Sequence, residues 1–269
     1  LKYFEQDIPP AMLENIGTYL ESARLLGART AELHLTLASD SEDKNFAPEP
    51  FTSYYQRSLF QSMRNLAVES FWQLRRRLKT LPTEVLPLAQ RALELKPALI
   101  QQFRQLFEHR LAAQRIRIHG NLDLGEVLWT GKDFVFLDFE GSIMTPISER
   151  GLKRSPLRDV AGLVRSFHHA AHAGLSQHGE RGNVHLPAFE AWAQYWSDGV
   201  SAVYLKAYFQ RLGKTGLYPA GETELRAMLQ AYLLNRMLRE LNHELGTHSD
   251  NLRIPLQDIL HLIGESPSS

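Results

Sequence analysis

His119-Gly120-Asn121-Leu122-Asp123-Leu124-Gly125-Glu126, followed twelve residues later by Asp138-Phe139-Glu140, decides how this chain is read. Phosphoryl transfer needs three oxygen-bearing groups near one point. One orients or deprotonates the acceptor hydroxyl, and two hold Mg²⁺ against the β- and γ-phosphates of a nucleotide. The spacing offers Asn121, Glu126 and Asp138 for these positions. Asn121 is an amide where a carboxylate is expected, which leaves activity as the open question.

The surroundings of the stretch predict a small β unit. Arg115-Ile116-Arg117-Ile118 alternates polar and apolar, as a half-buried strand does. Val127-Leu128-Trp129 and Phe134-Val135-Phe136-Leu137 flank Thr130-Gly131-Lys132-Asp133, and Gly131 at the first central position suits a type II′ hairpin turn. Such a hairpin carries Asp138 to the end of its second strand, close to the loop that begins at His119. An ordinary surface hairpin, with Asp138 capping a turn, fits the residue types equally well.

The next segment separates these alternatives. Leu152-Lys153-Arg154-Ser155-Pro156-Leu157-Arg158-Asp159-Val160-Ala161-Gly162-Leu163-Val164-Arg165-Ser166-Phe167-His168 closely resembles the stretch after the metal-binding aspartate of bacterial maltokinases. So do Gly131-Lys132-Asp133-Phe134-Val135-Phe136-Leu137-Asp138-Phe139-Glu140-Gly141 and, upstream, Leu26-Gly27-Ala28-Arg29-Thr30-Ala31-Glu32-Leu33-His34-Leu35. Glu240-Leu241-Asn242-His243-Glu244-Leu245 looks like the family's closing helices. These enzymes are relatives of the aminoglycoside phosphotransferases and often occur fused to or beside trehalose synthase. The resemblance implies an α+β, mainly α-helical, protein-kinase-like C-terminal lobe over residues 1–269. It implies a catalytic-loop and metal hairpin at 115–140 and a helical acceptor-side region at 157–262. The implied activity is ATP-dependent phosphorylation of maltose at its anomeric hydroxyl, with Mg²⁺ and ATP as cofactors.

Three loop positions depart from the family's His-Gly-Asp-x-His-x-x-Gln pattern. Asn121 occupies the place of the catalytic aspartate, and Asp123 that of the second histidine. Glu126 occupies the glutamine position and, with Asp138, a Mg²⁺-ligand position. Glutamate adds a carboxylate, so metal binding is expected to survive. Asparagine accepts no proton at neutral pH, and general-base help is worth ~10²–10⁴-fold. Asp123 is the alternative acceptor-contacting group, although a residue two places along need not share its direction. His119 and Asp159 are expected to brace the loop, with Arg158 either bracing it or meeting a ligand.

A kinase-like fold also needs a β-rich N-terminal lobe with a phosphate-covering loop and a lysine for the α- and β-phosphates. Only fifteen residues precede Ile16, no G-x-x-x-x-G-K-[ST] occurs, and the first residue is Leu1. The expectation is a C-terminal lobe whose N-lobe is absent, and which alone binds nucleotide poorly. Two rival readings remain: a catalytically silent sugar-binding or docking module fused to trehalose synthase, and a phosphotransferase for another hydroxyl acceptor.

Composition narrows the rest. The 269 residues, 43% apolar, suffice for one substantial core or two small ones. Thirty basic residues balance thirty acidic ones, so no global field recruits nucleic acid or an acidic membrane. Zero cysteines exclude disulfides, thiol nucleophiles and thiolate zinc sites. Neither a signal peptide nor an apolar run near ~20 residues is visible, which points to a cytoplasmic chain.

Helical spacing predicts helices from Ile16 to Leu37 and from Tyr55 to Leu78, then shorter pieces broken by Pro82, Pro87 and Pro97 and ending near Leu111. Others are expected over 157–173, 186–212 and 222–245, with a short one from Pro255. The Gly/His/Ser-rich segment 175–183 reads as an exposed loop. Trp192, Tyr195, Trp196, Tyr204 and Tyr208 form an aromatic stripe, first as core, alternatively with Trp192, Tyr195 and Trp196 stacking on a sugar ring. Arg75-Arg76-Arg77 reads as a solvated face. His168 and His172 stand at zinc-ligand spacing without an acidic third ligand, and read as a packed pair.

Overall fold

A computed structural model describes residues 7–106, 111–139, 146–179, 186–247 and 252–264. Along the chain run α1 (Pro10–Ile16), α2 (Tyr19–Leu37), β1 (Glu49–Pro50), α3 (Ser53–Arg77), α4 (Leu86–Gln105) and β2 (Gln114–Arg115). Then come β3 (Val127–Trp129), β4 (Phe134–Phe136), α5 (Ile147–Arg150), α6 (Leu157–Gly179), α7 (Leu186–Leu212), α8 (Glu222–Thr247) and α9 (Arg253–Gly264). The chain is mainly helical, with few strands. It divides into two units, Leu1–Glu49 with Gln114–Leu217, and Pro50–Ala113 with Tyr218–Ser269.

The first unit is built on α2, α6 and α7. The helix expected from Ile16 is two helices, because Gly17 turns the chain at φ 67 and its N–H closes α1 on the Leu13 carbonyl. Leu20, Ala23, Gly27, Ala31 and His34 are buried at the three- and four-residue spacing of one helical face. That face lies on α7 so tightly that a Cβ on Gly27 would meet the Tyr204 carbonyl oxygen at 2.3 Å. Tyr19 meets Trp196 near one end and His34 meets Tyr208 near the other, so α2 and α7 run in the same direction. On α6, Phe167 packs edge-on against Tyr204, and both are fully buried. Each buried side chain of this size contributes about 1.5–3 kcal/mol. Tyr204 and Tyr208 are therefore core, and burial pushes the Tyr204 phenol well above its ordinary range.

The strands are short. Ile116 and Ile118 are buried, as the alternation requires, but β2 covers only Gln114–Arg115. Ile116 pairs beyond it with Arg154 alone, through two 2.9 Å backbone hydrogen bonds. β3 and β4 form the antiparallel hairpin, with Val127 opposite Phe136, Leu128 opposite Val135 and Trp129 opposite Phe134. Gly131 has φ 92 and Lys132 does not share the positive φ, the pattern of a type II′ turn. At that turn the Asp133 carboxylate receives Arg29 of α2 at 2.8 and 2.9 Å. This pairing, with the Phe134 N–H, holds the Asp133 carboxyl below the usual carboxylate range.

The second unit packs α3 against α4 and α8, and α9 against α4 and α8. Thr52 caps α3 by accepting the Tyr55 N–H at 3.2 Å. Pro97 does not break the helix as its ring would suggest. It lies inside α4, whose Ala89, Ala92, Leu99 and Phe103 are all fully buried. A mid-helix proline costs ~3 kcal/mol or more, and two such buried large side chains offset about that much. Pro87 sits in the first turn, where its missing N–H has no helical partner to lose. The expected end near Leu111 touches 107–110, outside the described residues.

Helix α6 also outruns expectation. It continues through Gly179, into the loop expected at 175–183, as the extension of a helix already fixed by Leu157, Val160, Leu163 and Phe167 in the core. Positions 180–183 lie outside the described residues.

Candidate active site

Helix α6 carries the loop at 119–126 on one stripe. Asp159, in its first turn and 1% exposed, accepts the His119 N–H at 2.8 Å and the Gly120 N–H at 2.9 Å, one on each carboxylate oxygen. Gly162 lets the Leu122 backbone lie so close that a Cβ would sit 2.1 Å from its carbonyl oxygen. Ser166 Oγ accepts the Leu124 N–H at 3.1 Å while donating to the Gly162 carbonyl at 2.9 Å. Positions 159, 162 and 166 follow the i, i+3, i+7 pattern of one helix face. Gly120, with φ 89, turns the chain between the first two contacts.

The hairpin is tied to the same loop. His119 is buried, and its Nε2 lies 2.6 Å from the Leu137 carbonyl. A carbonyl only accepts, so Nε2 carries the proton. Leu137 N–H donates to the Glu126 carbonyl at 2.9 Å, extending the hairpin register, and the His119 ring lies 4.8 Å from that of Phe139. Asp138 therefore stands between two residues that both touch the loop. Its φ is 57, the one positive value among non-glycine residues of the described chain. Aspartate tolerates this left-handed backbone better than most side chains, and such outliers gather at functional sites.

The remaining expected residues can now be located. Asn121 is half-buried between two anchored neighbours. Asp123 has extended backbone and caps the short 3₁₀ turn Leu124–Glu126, its carboxylate accepting the Gly125 N–H at 2.9 Å. Glu126 is half-buried and Asp138 exposed. Arg158 is half-buried beside Asp159, but among the described residues its guanidinium makes no hydrogen bond to the loop. Trp192 is 44% exposed and stacks on Tyr195 at 5.5 Å, while Trp196 lies 4.9 Å from Tyr19. At 1.5 Å per residue, these rings lie roughly 18–24 Å along α7 from Tyr208, which marks the level of Asp159. The structure thus gathers Asn121, Asp123, Glu126 and Asp138 around one loop and strand end, and leaves the aromatic platform apart.

Gly162, Ser166 and His34 were not singled out by the sequence. The stripe from Asp159 carried a usable signal for the first two, since 162 and 166 are its helical neighbours. No local pattern points to His34, which lies 125 positions from its partner Asp159.

No group of three or more histidine, aspartate and glutamate residues able to hold a metal exists among the described residues. Glu126 and Asp138 fit Mg²⁺ in another way, because this ion is commonly bound by one or two carboxylates together with substrate phosphates. Beside them, Leu128, Val135 and Leu137 share one hairpin face by register, and all are 42–51% exposed. No helix among the described residues is long and apolar enough to cross a membrane.

No family model matches the chain. Its fold is similar to solved structures of a glucosamine kinase. Crystal form A has a TM-score of 0.71 and 18% identity, over 93% of this chain and 54% of that one. Crystal form B gives 0.74 and 19%, over the same shares. The complex with glucosamine, ADP and inorganic phosphate gives 0.71 and 19%, over 94% and 53%. At this identity the likeness is one of fold, and the chain spans about half the length of those proteins.

Proposed function

We propose that this chain carries the catalytic loop and metal strand of a maltokinase-like sugar phosphotransferase of the aminoglycoside-phosphotransferase type, in its C-terminal lobe. The reaction is ATP-dependent phosphorylation of maltose at the anomeric hydroxyl. The observation that supports it best is the double fastening of 119–126, to α6 through Asp159 and to the metal strand through His119 and Leu137. Phosphoryl transfer draws its rate from positioning and charge neutralisation, and a loop held from two sides supplies positioning.

In this reading Asn121 contacts the acceptor hydroxyl, with Asp123 as the alternative. Asp123 already spends one oxygen on the Gly125 N–H, which favours Asn121 for the contact. Glu126 and Asp138 would hold Mg²⁺, which would supply charge neutralisation at the phosphates of the nucleotide. Leu128, Val135 and Leu137 offer an apolar floor beside those carboxylates, suited to the base of the nucleotide. An acceptor reaching from Asn121 to Trp192 would exceed a disaccharide in length, so Trp192, Tyr195 and Trp196 stand as a separate candidate surface for saccharide.

The amide at Asn121 gives two further readings their footing. One is a silent sugar-binding or docking module; the other is a phosphotransferase for a different acceptor, for which glucosamine is the first compound to try. The test is Asn121→Asp in the full open reading frame, with Mg-ATP and maltose, glucose or glucosamine, followed by ³¹P NMR of the product. The expected result is slow formation of an anomeric phosphate from maltose and a rise in kcat of up to ~10²–10⁴-fold in the variant. Silence of both proteins with every sugar supports the docking module, and turnover confined to glucosamine reassigns the acceptor.

A further inference from the structure

We propose that His34 and Tyr208 are positioning residues for the loop at 119–126, holding the Asp159 carboxylate in the orientation that receives both loop amides. Their link to catalysis rests on the proposed reading of that loop; the network itself does not. His34 is fully buried on α2, with Nε2 3.3 Å from Asp159 Oδ2 and Nδ1 2.9 Å from the Tyr208 hydroxyl. Tyr208 is fully buried on α7. Two backbone amides and one imidazole nitrogen therefore surround the carboxylate, and the amides are obligate donors.

This arrangement fixes the histidine. An ionised carboxylate only accepts, so Nε2 must carry a proton. In the neutral ring Nδ1 is then a lone pair, and the Tyr208 O–H is the donor it requires. His34, Asp159 and Tyr208 are each exposed by 1% or less, so these partners set the orientation of Asp159 in a low-dielectric setting. Oδ2 is shared by His34 and the His119 N–H, whereas Oδ1 takes the Gly120 N–H. Without His34, only the His119 and Gly120 amides of the loop hold the carboxylate. The two amides at stake immediately precede Asn121, so a rotation there redirects the acceptor-side residue. Helices α2 and α7 thus act on the loop through Asp159.

Amide hydrogen exchange on the 269-residue chain tests this directly, in His34→Leu, His34→Gln and Tyr208→Phe. His34→Leu should speed exchange at the His119 and Gly120 amides by roughly tenfold to a hundredfold, the scale of a lost hydrogen bond to a charged group. Amides inside α2, α6 and α7 should change far less. His34→Gln, whose terminal N–H₂ can reach Asp159, should restore most of the protection, and Tyr208→Phe should give a smaller rise at the same two amides. An even rise across all three helices assigns His34 to plain core packing and overturns the proposal. So does unaltered exchange at His119 and Gly120 in the leucine and phenylalanine variants. Should His34→Leu fail to fold, Tyr208→Phe decides alone by the same criterion. The readout needs no turnover: if the pattern appears while the full open reading frame and its Asn121→Asp variant transfer no phosphate, the functional reading fails and the positioning network stands.

Discussion

Adding one methyl group at Gly162 sets two effects of opposite sign against each other. In an ordinary helix, glycine to alanine is favourable by about 0.8–1.0 kcal/mol. At this site the new Cβ would lie 2.1 Å from the Leu122 carbonyl oxygen and 3.3 Å from its carbon, against an ordinary contact of 3.4–4 Å. The gap between α6 and the loop must open by about 1.3 Å, and the obstacle is backbone rather than the end of a flexible side chain. Overpacking of this kind costs about 1–3 kcal/mol. The Leu124 to Ser166 hydrogen bond, already 3.1 Å long, is the first to be lost, for another 0.5–1.5 kcal/mol or so. The net expectation for Gly162→Ala is a destabilisation of about 1–3 kcal/mol, lowering Tm by about 2–4 °C for each kcal/mol. Gly174 lies on the same helix with nothing within 4 Å of its would-be Cβ, so Gly174→Ala should raise stability by about 1 kcal/mol. Scanning calorimetry of the two variants side by side reads the difference. Stabilisation by both alanines to the same extent would show that the loop is not seated on α6, and the site built here would fall with it. In an active protein, the displaced loop should also cost ~10²-fold in kcat.

Glu126→Gln and Asp138→Asn should each weaken Mn²⁺ binding, followed by water-proton relaxation in the presence of nucleotide. Asparagine is the apt replacement at 138 because it also tolerates a φ of 57, so charge is removed without new backbone strain. Unaltered affinity in both variants removes these residues from the metal site. Gly131→Ala should loosen the hairpin by about 1–2 kcal/mol, since a side chain at φ 92 is strained, with faster exchange of the Thr130 amide as the measurement. The Arg29–Asp133 tie should respond to acid. Asp133 has a lowered folded-state pKa, owing first to Arg29 and then to the Phe134 N–H, so its contribution is complete above the ordinary carboxylate pKa and fades as pH falls through and below that range. Hairpin protection, taken against the intrinsic exchange rate at each pH, should fall on acidification in the wild type and not in Asp133→Asn.

What could be read from the sequence was what the chain encodes locally. The hairpin follows from alternation in Val127–Trp129 and Phe134–Phe136 around a glycine suited to its turn, and its register alone brings Leu137 to Glu126. Long helices with a continuous apolar face were equally legible, although α6 runs six residues past its expected end at 173. Pro97 misled because proline reports only the local cost, whereas Leu99 and Phe103 draw their compensation from other helices. The seating of the loop was legible only in part. Asp159 could be suspected from its place at the start of a helix, but Gly162 and Ser166 matter through a neighbour some forty residues away. His34 joins them from another helix, with no trace in spacing.

The three α6 residues that seat the loop share one property: each meets main-chain atoms, the amides of His119 and Gly120, the carbonyl of Leu122 and the amide of Leu124. The path of the loop is thereby indifferent to which side chain stands at 121. Asparagine and aspartate codons differ by a single base. On the proposed reading, in which residue 121 contacts the acceptor, a lineage carrying this scaffold can silence that group and regain it in one mutational step. The loop is a place where chemistry can be revised while the fold is inherited unchanged.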